Sequence, residues 1–165
     1  MPFQNPSPED IKALLARIKT IAVVGLSPQP KRPSYAVAKA MQGFGYRIIP
    51  VRPLLERVLG EPAYASLSDV PERIDLVDVF RAAEYLDELV DECIRLKLPA
   101  LWIQEGIVRP SSLPFSQREK GTMSSSPSGR GIEERAEAAA ERACAAGMFV
   151  VMDRCLYKDY VALMV

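Results

Sequence analysis

Residues 21–34 read Ile-Ala-Val-Val-Gly-Leu-Ser-Pro-Gln-Pro-Lys-Arg-Pro-Ser. The apolar run that ends at Gly25 is typical of a buried β-strand, and the pattern predicts a helix that begins near Ser34. The loop between them is rich in proline and carries the basic residues Lys31 and Arg32. A strand, a glycine turn, a basic loop and a helix N-terminus in this order are typical of a phosphate-binding site. We therefore expect this loop to hold a phosphate group of a ligand.

Strands and helices alternate along the rest of the chain. Apolar runs predict strands at 20–25, 47–51, 74–80, 100–104 and 148–152. Helical spacing of apolar residues predicts helices at 8–18, 34–44, 83–96 and 132–146. The connection at 54–73 is expected to hold at most short helical turns. Because apolar and polar residues do not alternate cleanly along these strands, we expect both faces of the sheet to be buried under other elements. The sequence therefore predicts one α/β domain over residues 1–165, with a Rossmann-like, doubly wound parallel five-stranded sheet and helices on both faces.

The expected ligand site is the edge of this sheet at which the strands end. Right-handed crossovers bring the carboxyl ends of parallel strands to one edge, where ligands bind in such folds. The residues expected at this edge are Gly25, Pro50, Val51, Arg52, Phe80, Arg81, Gln104, Glu105 and Gly106.

This edge lacks the complete fingerprint of a dinucleotide site. Only Gly25 of the pattern G-x-G-x-x-G is present, and the second strand ends at Arg52 rather than at an acidic residue. An arginine at this place suits a nucleotide with an additional phosphate on its ribose, such as NADP or coenzyme A (CoA). The pattern G-x-x-x-x-G-K-[ST] is absent from the sequence, which argues against an ATPase.

The composition excludes several classes of function. The chain has no histidine, which rules out Ser-His-Asp and Cys-His catalysis, histidine-ligated zinc and a phosphohistidine intermediate. Basic and acidic residues balance at 21 each, so the net charge gives no support for nucleic acid or a membrane surface as a partner. No apolar run could span a bilayer, and the N-terminus lacks the features of a signal peptide. The three cysteines form no disulfide pattern, so we expect a cytoplasmic protein without a metal site.

The carboxylates offer no convincing catalytic group. Glu105 is the best single candidate for an acid or base because it lies at the expected pocket edge, but no partner is evident. Asp75 and Asp78 lie on one strand with a spacing that points them to opposite faces. We interpret Asp75 as a polar residue at the strand entry and Asp78 as a hydrogen-bond partner of a loop backbone. We therefore assign no catalytic residue.

The cysteines allow one reactive interpretation. Cys155 follows the last strand and could form a mixed disulfide with a bound thiol if the pocket lies close to it. The simpler interpretation is a structural turn, in which Asp153 pairs with Arg154 or caps backbone N–H groups, since a cysteine without an activating neighbour is usually inert. Cys93 and Cys144 have apolar neighbours and are predicted to be packing residues.

Residues 109–131 depart from the pattern of the rest of the chain. They are rich in Ser, Pro and Gly and follow the fourth predicted strand, so they begin beside the expected ligand site. The composition favours a disordered insertion over a lid.

Several motifs, in the same order along the chain, resemble those of the small CoA-binding proteins of bacteria. These motifs are Val-Val-Gly-Leu-Ser at 23–27, Arg-Pro-Ser-Tyr at 32–35, Gly-Tyr-Arg-Ile-Ile-Pro-Val at 45–51, Leu-Gly-Glu at 59–61, Ile-Asp-Leu-Val-Asp-Val-Phe-Arg at 74–81, Trp-Ile-Gln-Glu-Gly-Ile at 102–107 and Val-Val-Met-Asp-Arg-Cys at 150–155. The resemblance covers residues 8–108 and 132–160. That family is related to the N-terminal CoA-binding domain of the succinyl-CoA synthetase α subunit. The family usually has Asn at the position of Arg52, and the segment 109–131 interrupts its pattern after Ile107.

The resemblance implies a binding role for a set of residues. It implies that the turn Gly25, Leu26, Ser27 and the side chain of Lys31 meet the phosphates, and Arg32 is expected to bind the cofactor beside them. It implies a helix N-terminus at Ser34, an adenosine and pantetheine path along Pro50, Val51, Arg52, Phe80 and Arg81, and a pantetheine end at Gln104, Glu105, Gly106 and Ile107. Because we expect no second domain and find no phosphate-shuttling motif in this sequence, the synthetase chemistry is not implied.

The function expected from the sequence is non-covalent binding of CoA or an acyl-CoA, without evident catalysis. The alternatives are an NADP-dependent oxidoreductase, an enzyme that acts on an acyl-CoA, and a protein interaction module with a vestigial pocket. The missing glycines count against NADP, and the lack of a catalytic group counts against both enzymes. The expected partner is thus a small nucleotide ligand, and the sequence indicates no particular protein partner.

Overall fold

The computed structural model describes residues 3–107 and 128–165, without the side chains of 128–130. The strands are β1 (Thr20–Val24), β2 (Arg47–Val51), β3 (Arg57–Val58), β4 (Glu61–Pro62), β5 (Leu76–Val79), β6 (Ala100–Gln104) and β7 (Phe149–Arg154). The α-helices are α1 (Pro8–Arg17), α2 (Pro33–Gly43), α3 (Leu86–Arg95), α4 (Ser128–Ala145) and α5 (Leu156–Met164).

The main sheet has five parallel strands in the order β2-β1-β5-β6-β7. Helices α1, α2 and α5 cover one face, and helices α3 and α4 cover the other, so each face has its own apolar core. Alternate residues of β5 face opposite ways: Leu76 belongs to the core under α1, α2 and α5, whereas Val77 and Val79 belong to the other. The predicted Rossmann-like α/β fold with helices on both faces is confirmed.

Helix α1 begins where the sequence predicts. The Oγ atom of Ser7 accepts a hydrogen bond from the backbone N–H of Asp10 at 3.2 Å, and Pro8 occupies the first helical position. Ile11, Leu14 and Leu15 are buried on one side of the helix. Capping and apolar spacing therefore fix this helix against the sheet face that also holds the fully buried Trp102.

The structure differs from the predicted secondary structure in three places. Residues 54–73 include an antiparallel pair, β3 with β4, as well as a short 3-10 turn at Leu67–Asp69, so the prediction of helical turns alone was wrong. Helix α4 begins at Ser128, so the end of segment 109–131 is helical, and 109–127 lie outside the described residues. Helix α5, which was not predicted, packs against α1 and α2.

Candidate functional site

The strand order reverses at β1, between β2 on one side and β5 on the other. Loops that leave neighbouring strands in opposite directions open a crevice at such a point, where ligands bind in doubly wound folds. Here the crevice is a cavity of about 820 Å³, within the usual range for small-molecule sites. The cavity is lined by Gly25, Ser27, Gln29, Arg32, Pro33, Ser34, Val37, Arg52, Pro53, Phe80, Arg81, Gln104, Glu105, Gly106, Ile107, Cys155 and Lys158.

Gly25 forms the floor of the cavity at the end of β1. Its φ of +86° favours glycine. A Cβ atom there would lie 3.0 Å from both the carbonyl oxygen of Phe80 and Cγ of Arg81. The turns that follow β1 and β5 therefore approach each other more closely than a side chain at this position would permit.

The loop after Gly25 is held by its own serine hydroxyls. The backbone N–H of Ser27 donates to Oγ of Ser34 at 3.0 Å, and the backbone N–H of Gln29 donates to Oγ of Ser27 at 3.1 Å. These bonds tie the loop to the first turn of α2, whose N-cap residue, Arg32, gives no side-chain cap. The N-terminus of α2 has no side-chain cap and its first residues line the cavity, so the helix dipole favours an anion there.

Positive charge dominates the cavity wall. Arg32, Arg52 and Arg81 line it, and none of the three forms an ion pair within the described residues. The guanidinium of Arg81 lies over the ring of Tyr85, with 4.2 Å between its carbon and the ring centroid. Three arginines without a carboxylate partner at one cavity are an arrangement that suits several phosphate groups.

The opposite wall joins the ends of β6 and β7. The backbone N–H of Glu105 donates to the carbonyl of Arg154 at 3.1 Å. The backbone N–H of Gly106 donates to Oδ1 of Asp153 at 3.3 Å. Lys158 donates from Nζ to Oε1 of Glu105 at 2.7 Å, and this bond raises the pKa of Lys158. Glu105, the single candidate for an acid or base, is thus paired with Lys158 at the rim of the cavity.

The turn at the end of β7 differs in part from the prediction. Arg154 does not pair with Asp153 but forms a two-pronged ion pair with Asp159, at 2.6 and 2.9 Å. Asp153 caps a backbone N–H group, as the alternative interpretation had it, and has a φ of +59°. A non-glycine residue in this region stores strain, which the surrounding hydrogen bonds hold in place.

The cavity brings together most of the predicted binding residues. Those on its wall are Gly25, Ser27, Arg32, Ser34, Arg52, Phe80, Arg81, Gln104, Gly106 and Ile107. Leu26, Lys31, Pro50 and Val51 are not on it. The side chain of Leu26 is buried in the core, Pro50 and Val51 lie within β2, and Lys31 is exposed at the loop surface.

The sequence reasoning did not propose Gln29, Pro33, Val37, Pro53 or Lys158 as binding residues, yet all five line the cavity. Gln29 and Pro33 lie inside the basic loop, and Pro53 directly follows Arg52. These three could have been predicted, because their neighbours in the sequence were already predicted to bind the ligand. Lys158 comes from α5, and its sequence neighbourhood carries no signal for the cavity.

Two further predictions were wrong. Asp78 is fully buried and its carboxyl oxygens have no hydrogen-bond partner among the described residues, because its side chain faces the core and not a loop. Burial raises the pKa of Asp78 well above its usual value. Cys144 is exposed and not a packing residue, whereas Cys93 is buried as predicted.

Within residues 3–107 and 128–165, no helix is long and apolar enough to cross a membrane.

A parallel, doubly wound sheet with a basic crevice at its switch point defines a Rossmann-like α/β protein. Within this class, the sequence pattern of the family described as "CoA binding domain" matches residues 19–160. The match covers most of the chain, which therefore belongs to this family, and the resemblance found in the sequence is confirmed.

Known relatives agree with this assignment. The chain is 45% identical over 119 residues to the uncharacterized protein YneT of Bacillus subtilis, a match that covers 72% of this chain and 87% of YneT. A solved structure of a hypothetical protein from Pyrococcus horikoshii is 30% identical, has a TM-score of 0.76, and is matched over 100% of this chain and 97% of that chain. The chain is also 32% identical over 77 residues to acetate–CoA ligase (ADP-forming) I of Archaeoglobus fulgidus, which is 47% of this chain but 11% of the ligase.

Proposed function

We propose that this protein binds CoA or an acyl-CoA non-covalently in the cavity at the switch point, without catalysing a reaction of its own. The observation that carries the proposal is the convergence of Arg32, Arg52 and Arg81 on one cavity without a carboxylate partner in the described chain. CoA carries a pyrophosphate and a 3′-phosphate on its ribose, and arginines bind such groups with charge-assisted hydrogen bonds.

The loop after β1 is suited to the pyrophosphate. Gly25 lines the cavity at the end of β1, and the uncapped N-terminus of α2 adds a favourable dipole. Arg52, at the end of β2, would then meet the ribose phosphate. Gln104, Gly106 and Ile107 would line the pantetheine arm.

The family and its relatives support a CoA ligand but not a ligase activity. The name of the Archaeoglobus relative describes an acetate–CoA ligase, and the matched region is about a tenth of that protein. The chain has no histidine, and Glu105 is held by Lys158, so we assign no catalytic residue. The three cysteines are free, which suits the cytoplasm that we propose as the compartment.

Calorimetric titrations of the protein with CoA, 3′-dephospho-CoA, NADP and NAD, at low salt, test the proposal. We expect CoA to bind with a dissociation constant on the order of micromolar or tighter, and 3′-dephospho-CoA to bind more weakly. Binding of NADP in preference to CoA would favour an oxidoreductase. Binding of none of the four would refute the proposal and favour an interaction module.

A further inference from the structure

Cys155 lies on the wall of the cavity, at the end that we assign to the pantetheine arm. Its side chain is 7% exposed, and it occupies the N-cap position of α5 without forming a side-chain cap. The N-terminal end of a helix carries partial positive charge, and Cys155 stands at this end of α5. Lys158, one turn further along α5, lines the same cavity.

Gln104 supplies a second, independent sign of a ligand beside Cys155. Its side chain is 4% exposed and lines the cavity, and its Oε1 atom accepts from the backbone N–H of Leu156 at 3.4 Å. Its amide nitrogen donates no hydrogen bond within the described chain. The nitrogen is not among the buried atoms that lack a partner, so it is open to the cavity, where it can donate to a ligand acceptor next to Cys155. The amide linkages of a pantetheine arm offer carbonyl oxygens of this kind.

The position of Cys155 is fixed from both sides. The carbonyl of Arg154 accepts from the backbone N–H of Glu105 and from Nε1 of Trp102, at 3.1 and 2.8 Å. Asp153, at φ +59°, is held by its bond to the N–H of Gly106. The turn that carries the cysteine is therefore joined to the end of β6 that carries Gln104, and these hydrogen bonds hold the two residues in place on one wall of the cavity.

We propose that Cys155 is a thiol-exchange site, at which the protein forms a mixed disulfide with CoA. The inference rests on the proposed binding of CoA. The Sγ thiolate of Cys155 attacks one sulfur of CoA disulfide and forms a new S–S bond, while the old S–S bond breaks and its electron pair leaves with the second sulfur as a CoA thiolate. The cysteine is oxidised and the disulfide is reduced, so the step needs no other oxidant.

The other cysteines provide matched controls. Cys93 is fully buried, and burial raises the pKa of its thiol to about 12, so we expect no reaction there. Cys144 is exposed on α4 and does not line the cavity. It reports the reactivity of a thiol that has no binding site beside it.

The test is intact-mass spectrometry of the full chain treated with CoA disulfide or with glutathione disulfide, followed by peptide mapping. The reference protein is the variant Cys144→Ser. The variant Cys155→Ser and the unaltered chain are treated in the same way and compared with it. We expect Cys155 to gain the mass of one CoA less two hydrogen atoms, and to lose it on reduction. Because binding raises the local concentration of the disulfide, the reaction with CoA disulfide should be on the order of tenfold or more faster than with glutathione disulfide. Cys144 of the unaltered chain should show no such preference.

S-methyl-CoA separates this inference from the proposed function, because it can bind but cannot exchange. If it binds by calorimetry and slows the modification of Cys155, both proposals are supported. If it binds and Cys155 is not modified, or reacts equally with both disulfides, the thiol-exchange site is refuted and CoA binding stands. If S-methyl-CoA and CoA both fail to bind, the proposed function is refuted, and the exchange site with it.

Discussion

Replacing Asp78 by asparagine is expected to stabilise the protein increasingly as the pH rises. Asp78 lies on the central strand β5, between Val23 of β1 and Trp102 of β6, and its carboxyl group is fully buried without a hydrogen-bond partner in the described chain. Burial disfavours the charged form and raises its pKa well above the ordinary value of 3.8. Asparagine has nearly the same shape and carries no charge at any of these pH values.

The size of the effect follows from proton linkage. Above pH 3.8 the unfolded chain has released the proton of Asp78, whereas the folded chain still holds it. The folded state then binds one more proton than the unfolded state, so the free energy of unfolding falls as the pH rises, by about 1.4 kcal/mol per pH unit. This loss begins above the ordinary pKa and ends at the raised pKa. In Asp78→Asn it is absent, so the stability difference between the two proteins grows by the same amount per unit.

The assay is urea unfolding of both proteins at a series of pH values from 4 to 8. Trp102 is the single tryptophan and is fully buried, so its fluorescence reports unfolding directly. The other titrating groups are the same in both proteins, so their contributions cancel when the two free energies of unfolding are subtracted. The pH at which the difference stops growing measures the folded-state pKa of Asp78. A difference that is constant over this range would show that the carboxyl is ionised in the folded protein and would refute the reasoning.

Four further substitutions test the cavity. Gly25→Ala should lower the melting temperature more than Gly147→Ala, because both have positive φ but only at Gly25 would the new Cβ lie 3.0 Å from other atoms; equal losses would show that the close approach has no cost. Arg52→Ala should weaken CoA binding by about 1.5–3 kcal/mol in calorimetry and leave 3′-dephospho-CoA unaffected. Equal losses for the two ligands would place Arg52 away from the ribose phosphate. Lys31→Ala should change CoA affinity less than Arg52→Ala does, and the reverse order would contradict the cavity wall described above. Ser34→Ala removes the acceptor for the N–H of Ser27 and should cost about 1 kcal/mol in urea unfolding, whereas an unchanged midpoint would show that the loop holds without this bond.

Local signals in the sequence were enough to predict the sheet and the basic loop. Strand β2 was predicted with its observed ends, since Arg47 and Pro50-Val51 mark them, and the turn at Gly25 was predicted from its place after an apolar run. These features depend on residues close together in the chain. The same argument placed Arg52 and Arg81 at one edge, because parallel strands end on the same side.

The remaining features depend on packing between distant segments. Lys158 reaches the cavity because α5 returns across the sheet, a placement that no local pattern encodes. The exposure of Cys144 depends on how α4 is rotated against the sheet, and its neighbours in sequence do not fix that angle. Asp78 is a polar residue inside an apolar core. Because aspartates are rarely buried, a prediction from the sequence places such a residue near the surface.

The close contact at Gly25 also determines where this protein can change during evolution. A Cβ atom at Gly25 would lie 3.0 Å from the turn after β5, so a substitution there strains the backbone and is a costly way to adjust the preference for one ligand over another. We expect variation at the rim instead, where Arg52 and Gln29 line the cavity from loops and can be exchanged without moving the sheet. Relatives of this chain can therefore diverge in ligand choice through a few rim side chains while the backbone beneath them stays the same.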